Sequence, residues 1–190
     1  MAKKELDLLR DKPSSAILKF AVPMLIGALF QQAYSLVDTI VVGNFINSDA
    51  LAAVGTSGVI MNIVTMAGMG LAVGTSVVTA QYFGAQKLKE VKTAIHTSLI
   101  VFVALGLAGG MLGLLIMNPM LQLMNTPAEM MSYALSYLGV IFIGVVFVML
   151  YNMFNQVSIA LGDSKTPMLM LLIASAINVV LDLVFTLGLH

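Results

Sequence analysis

The chain has 190 residues, of which 59% are hydrophobic and 9% charged, with a formal net charge of zero and no cysteine. Soluble domains carry about 25% charged residues, so this composition excludes an ordinary soluble fold. The missing cysteines exclude disulfides and thiolate metal sites, and the balanced charge argues against a nucleic-acid partner.

The apolar runs predict an all-α integral membrane protein, a bundle of about five transmembrane helices. Residues 1–13 form a short amphipathic lead-in, which mixes Lys, Arg, Asp and Glu and lacks the cleavage site of a signal peptide. Residues 14–190 then form the transmembrane bundle. Each apolar run exceeds the ~20 residues that cross a bilayer, and none alternates as barrel strands do. The predicted spans are roughly 14–43, 51–83, 93–118, 130–160 and 166–189.

Lysine and arginine lie on alternate sides of these spans. The connections are GNFINSDAL, GAQKLKEVK, NPMLQLMNTPAE and LGDSKTP, and only the second and fourth of them contain lysine. With the basic N-terminal segment, this alternation predicts a multi-pass protein of the inner or plasma membrane whose N-terminus is cytoplasmic. The chain stops at the outer end of its fifth span without a polar tail, so we expect a fragment.

Glycines at four-residue spacing predict close helix packing. In lipid, such pairs let two backbones approach each other, because no side chain separates them. The pairs are Gly106 with Gly110, Gly109 with Gly113, and Gly70 with Gly74.

Two acidic residues interrupt the apolar spans. Asp38 lies 19 residues beyond Lys19, roughly 28 Å along a helix, and Asp182 lies 15 residues beyond Pro167, roughly 22 Å. Both acids are therefore predicted in the outer half of the membrane, at similar depth. Each shares a helix face with other polar residues, and the fourth span carries a further polar stripe. These neighbours are Gln31, Tyr34 and Ser35 for Asp38, Ser175 and Asn178 for Asp182, and Asn152, Asn155 and Gln156 in the fourth span.

A carboxylate at the bilayer centre costs about 2.5–3.5 kcal/mol, which pairing or a hydrated cavity must offset. We expect Asp38 and Asp182 to share an inward-facing polar pocket that binds a proton or a small hard cation. Such a cation, Na⁺ for example, would be held by oxygens of Asp38, Asn178 and Asp182. The alternative is that each acid only joins helices by hydrogen bonds. No other cofactor is expected.

Pro23 lies inside the first span, 15 residues before Asp38. Proline removes a backbone hydrogen bond and clashes with the preceding turn, so a bend is predicted there. The bend is either a static kink or a hinge that responds to the charge on Asp38.

Five sequence segments together resemble the multidrug and toxic compound extrusion (MATE) family, in order and over the whole chain. They are Pro23 followed by Val37-Asp38-Thr39 and Val42-Gly43, then LAAVG at 51–55, TAQYFGA at 79–85, ALGDSKTPM at 160–168 and NVVLD at 178–182. Each segment is weak alone, but the set is specific.

This resemblance implies a secondary active antiporter of twelve helices, in two pseudo-symmetric six-helix lobes. It would export cationic organic compounds in exchange for H⁺ or Na⁺. The family's N-terminal cation site corresponds to Tyr34, Asp38, Asn178 and Asp182, and Asn152 or Asn155 are further candidates. The chain stops before the sixth helix, so that helix and the C-terminal lobe would be missing partners of this bundle.

Three other functions fit the sequence less well. A lipid-linked oligosaccharide flippase of the same superfamily should carry basic residues in mid-membrane, which these spans lack. An intramembrane aspartyl protease needs Tyr-Asp and Gly-x-Gly-Asp patterns, whereas Asp38 follows Val37 and Asp182 follows Leu181. A helical scaffold fragment without a transport role stays open, and it would be indicated if Asp38→Asn left cellular drug resistance unchanged.

Overall fold

The computed structural model describes residues 13–45 and 48–188, and within them the chain is helical, with no strand. The predicted lead-in lies outside these residues, apart from Pro13, where the first helix begins. The five helices are α1 (Pro13–Phe45), α2 (Ser48–Gly84), α3 (Leu88–Leu123), α4 (Ala128–Ala160) and α5 (Lys165–Gly188). The predicted all-α class and the number of helices are confirmed.

Among the described residues, three stretches are long and apolar enough to cross a bilayer by themselves, namely Gly55–Gly84, Leu88–Leu123 and Ala128–Ala160. Two shorter apolar stretches, Ile17–Ala33 and Lys165–Leu181, lie in α1 and α5. Large apolar side chains are exposed along these helices, among them Leu115 at 74% and Val140 at 73%. A soluble protein rarely exposes so much contiguous apolar surface, so these faces belong in lipid and the chain is a membrane protein.

The third helix is longer at both ends than the predicted span of 93–118. It begins at Leu88, because leucine, lysine and glutamate all favour helix and extend α3 through a stretch predicted as a connection. It continues through Pro119 to Leu123. A proline near a helix end removes only its own hydrogen bond, so it need not stop the helix there. Most of the predicted third connection is therefore helical.

Helices α2, α3 and α4 end in the same way, with one residue in the left-handed conformation. These residues are Gln86 (φ 59°), Asn125 (φ 52°) and Gly162 (φ 83°). In each case the next N–H donates to a carbonyl five residues earlier, which is the Schellman motif. The bonds run from Lys87 to Tyr82 (2.9 Å), from Thr126 to Leu121 (3.1 Å) and from Asp163 to Ser158 (2.9 Å). Each tight ending lets the next helix begin within a few residues.

Asp163 sets the start of α5. Its Oδ1 accepts hydrogen bonds from the backbone N–H groups of Lys165 and Thr166, both at 3.0 Å. Partial burial would raise the pKa of this carboxyl, but hydrogen bonds from Thr166 and Lys165 and the charge of Lys165 outweigh it and lower the pKa. The carboxylate therefore acts as the cap of a helix N-terminus.

The helices form two compact units. One combines α1 up to Val41 with the segment from Ser158 onward, which includes α5, and the other is Val42–Val157, with α2, α3 and α4. The core of the second unit joins all three of its helices. Its members are Ile60, Leu121, Ala134, Leu138 and Phe142.

Helices α3 and α4 approach each other closely at two glycines of the second unit. A Cβ added to Gly110 would lie 2.5 Å from the carbonyl oxygen of Phe142, and one added to Gly106 would lie 2.8 Å from Cα of Val146. Gly113 faces the ring of Phe142 on the same side. By contrast, a Cβ added to Gly109 meets nothing within 4 Å. The packing predicted for the glycine pairs is therefore confirmed for three of these four glycines.

No close contact is described for the pair in the second span, so the packing predicted there stays a prediction. A Cβ on Gly70 or Gly74 has no neighbour within 4 Å among the described residues. Four-residue spacing alone does not say which side of a helix a neighbour occupies.

Candidate functional site

Helices α1 and α5 carry the two predicted intramembrane acids. The side chains of Tyr34, Asp38 and Asp182 lie outside the described residues, so the structure neither supports nor contradicts their predicted contacts. Their backbones continue the helices α1 and α5. What the structure describes is how these two helices pack, and the side chain of Asn178 one turn before Asp182.

The contact between α1 and α5 lies at Gly27, which is buried. A Cβ added there would lie 3.4 Å from Cδ2 of Leu171 and 3.8 Å from Cα of Met168. The backbones are therefore close at this point. Asp38 follows Gly27 by eleven residues, and Asp182 follows Leu171 by eleven residues. Met168, whose Cα is the backbone atom close to Gly27, precedes Asp182 by fourteen residues. At 1.5 Å per residue, Asp38 therefore lies about 16 Å and Asp182 about 16–21 Å along its helix from this contact.

Pro23 lies one turn before Gly27, inside an unbroken α1. Its side chain is partly buried. A bend at Pro23 therefore falls next to the point where α1 rests against α5. Whether it is static or a hinge stays a prediction.

Asn178 has an unused acceptor. The residue is partly buried, and its Oδ1 is fully buried without a hydrogen-bond partner among the described residues. Leaving a buried polar group unpaired costs about 1–3 kcal/mol, so such an atom calls for a ligand, a proton donor or water. An amide oxygen is a suitable ligand for Na⁺ and a suitable acceptor for a protonated carboxyl group.

The amides of α4 belong to the other compact unit. Asn152 is buried, and its Nδ2 donates to the carbonyl of Val148 at 2.9 Å. This bond fixes the amide group against its own helix. Asn155 and Gln156 are partly buried. Their assignment to a cation site stays a prediction.

A polar groove between α2 and α3 was not foreseen from the sequence. It has a volume of about 630 Å³ and is lined by hydroxyl side chains and by Lys89 and Glu90. In the sequence, the groove corresponds to Thr93 and Thr97, which follow Lys89 by one and two helical turns. Hydroxyl residues are common in membrane helices, so this spacing alone predicts nothing.

Comparison with known proteins agrees with the fold and with the sequence motifs. The family model described as MatE matches residues 23–184. The probable multidrug resistance protein YpnP of Bacillus subtilis (strain 168) is 29% identical over 182 residues, which are 96% of this chain and 41% of that protein.

Two solved structures match along all of this chain. They are described as MATE in the straight conformation, with a TM-score of 0.90 and 30% identity, and MATE in the bent conformation, with a TM-score of 0.86 and 31% identity. This chain covers 42% of each. It therefore spans about two fifths of the length of the relatives that it matches.

Proposed function

The chain belongs to the MATE family, and from that membership we propose that it forms the N-terminal part of a secondary active antiporter. The transporter exports cationic organic compounds in exchange for H⁺ or Na⁺, and a sixth helix and a C-terminal lobe complete it. The N-terminus lies in the cytoplasm, and the protein spans the inner or plasma membrane several times. The relatives are named as a multidrug resistance protein and a MATE family transporter, which argues against the aspartyl protease.

The observation that carries the coupling proposal is the buried Oδ1 of Asn178, which accepts no hydrogen bond from any described residue. Asp182 follows it by four residues, a spacing that assigns both positions to the same face of a helix. An ionised carboxylate cannot donate a hydrogen bond to Asn178, whereas a protonated one can. Na⁺ satisfies the amide oxygen and the carboxylate oxygens together. Either coupling ion therefore removes the cost of the buried acceptor.

The packing of α1 against α5 supports a site shared by both acids. Their similar distance from the contact at Gly27 gives Asp38 and Asp182 a similar height along two helices that are predicted to cross the membrane in the same direction. Tyr34, one turn before Asp38, belongs to the same face of α1. Asn152 and Asn155 of α4 are proposed as further oxygen ligands.

Transport then follows from the binding of one ion. Uptake of H⁺ or Na⁺ removes one negative charge from the pocket, α1 changes its bend near Pro23, and the altered lobe releases the exported compound outward. The ion drives this change only through its higher affinity for the rebent state. The empty lobes then rock to face the cytoplasm.

The test measures export of a cationic dye by the complete transporter in vesicles, against an imposed H⁺ or Na⁺ gradient. Asp38→Asn and Asp182→Asn keep the size of the side chain and remove its charge. Each should abolish ion-driven export, and the double variant should be little worse, because the pair acts as a unit. Asn178→Ala should weaken the dependence on ion concentration.

The matched control is Asp163→Asn, which removes a carboxylate at the start of α5 that lies outside the membrane. It should leave export intact at neutral pH. Near-normal export by a well-expressed Asp38→Asn protein would mean that this acid only joins helices.

A further inference from the structure

The α2–α3 groove opens beside the connection between these two helices. Its wall from α2 runs from Gly74 to Tyr82, and its wall from α3 runs from Lys89 to Ser98. At 1.5 Å per residue these walls are about 12 and 14 Å long. Each polar layer of a bilayer is about 5–8 Å thick. The groove therefore spans the headgroup layer and the first few ångströms of the hydrocarbon.

The chain segment at the connection end of the groove carries a net positive charge, although the two charged residues that line the groove itself, Lys89 and Glu90, balance each other. Residues 87–92 contain three lysines and one glutamate, which leaves a net charge of +2. Lys89 and Glu90 line the groove, whereas Lys92 is exposed elsewhere on α3. The first turn of α3 adds to this positive potential, since Lys87 gives it no side-chain cap.

Hydroxyl groups line the deeper part of the groove. Oγ1 of Thr75 and Oγ of Ser98 are hydrogen-bonded at 3.2 Å and join the two walls. Thr93 donates to the carbonyl of Lys89 at 3.1 Å. The hydroxyl of Thr97 has no hydrogen bond to any described residue, so it can donate to a ligand in the groove.

This order of groups matches one class of amphiphile. A phosphate group can bind beside Lys89 and the N-terminus of α3. An ester carbonyl that lies one or two turns deeper can then accept a hydrogen bond from the hydroxyl of Thr97. Acyl chains can then follow the apolar wall at Val78. We propose that the α2–α3 groove binds the headgroup of an anionic phospholipid. The assignment requires only that the helices lie in a membrane, and it does not rest on the transported compound.

The experiment compares lipid binding to the purified protein by native mass spectrometry. The probes are phosphatidylglycerol and phosphatidylcholine with identical acyl chains, and the protein should retain phosphatidylglycerol in preference. Lys89→Gln should weaken phosphatidylglycerol binding about fivefold, the effect of one charge near an anionic surface. Lys92→Gln removes the same charge from the same turn of α3 outside the groove, so it should have less than half that effect. Equal losses in the two variants would show diffuse attraction and overturn the proposal.

A second variant tests the groove without changing its charge. Thr97→Val keeps the shape of the side chain and removes its hydroxyl, so both lipids should bind roughly 2–10-fold more weakly. Unchanged binding of both lipids to a folded Thr97→Val protein would refute the proposed pose. Inorganic phosphate, added to lipid-free protein, should not raise its thermal stability. If phosphate alone stabilises the protein and Lys89→Gln removes this stabilisation, the groove is a site for a free anion and not for a lipid.

Discussion

Replacing Gly110 by alanine tests the helix packing most directly. The new methyl group would lie 2.5 Å from the carbonyl oxygen of Phe142 and 3.2 Å from Cγ1 of Val145. The first distance is about 1 Å shorter than a relaxed contact. A backbone oxygen cannot rotate away as a side chain can, so α3 and α4 must separate. Gly109 provides the matched control, because its methyl group would meet nothing within 4 Å.

The expected magnitude follows from two opposing effects. Alanine favours helix over glycine by about 1 kcal/mol at either position. Overpacking a tight contact costs about 1–3 kcal/mol, and it applies only at Gly110. The helix preference cancels between the two variants, so Gly110→Ala should be about 1–3 kcal/mol less stable than Gly109→Ala. For a chain of this size, that difference corresponds to roughly 2–12 °C in the midpoint of thermal unfolding.

The assay heats each purified variant in one detergent and measures the fraction that stays monodisperse in size-exclusion chromatography. Gly109→Ala should match or exceed the original protein, and Gly110→Ala should lose its monodisperse peak at a lower temperature. Equal midpoints for the two variants would refute the assignment of Gly110 to the interface between α3 and α4.

Three further predictions concern helix ends and topology. Gln86→Gly should stabilise the protein by about 1 kcal/mol in the same assay, because glycine adopts the left-handed conformation without strain, and Gly162→Ala should do the reverse. Asp163 has a lowered pKa when folded, so its stabilising effect is present above the unfolded value of 3.8 and is lost as pH falls through the folded value. Asp163→Asn should therefore lose less stability than the original protein as the pH falls from about 5 to about 3; an equal loss would contradict the capping role. A reporter fused after residue 88 should be cytoplasmic and one fused after residue 124 external, and the opposite result at either site would overturn the orientation.

The sequence by itself determined the membrane class and the number of helices. Each helix satisfies its own backbone hydrogen bonds, and the bilayer requires a long apolar run, so both features are local properties of the chain. The family motifs were also readable without a structure. The pairing of Asp38 with Asp182 was inferred from helix position alone and stays a prediction. Asn178 was named from the same pattern, but its unpaired oxygen became visible only through the packing around it.

The tertiary structure decided which side of each helix meets a neighbour. Gly109 and Gly110 are adjacent in overlapping glycine pairs of equal spacing, yet only Gly110 faces α4. Adjacent residues project about 100° apart on a helix, and the choice between them depends on where another helix lies. The α2–α3 groove also depends on tertiary structure. Its hydroxyl groups come from two helices, and the sequence of neither helix specifies how the two align. In a uniformly apolar span, the position of the neighbouring helix, and not the local sequence, selects the face that packs.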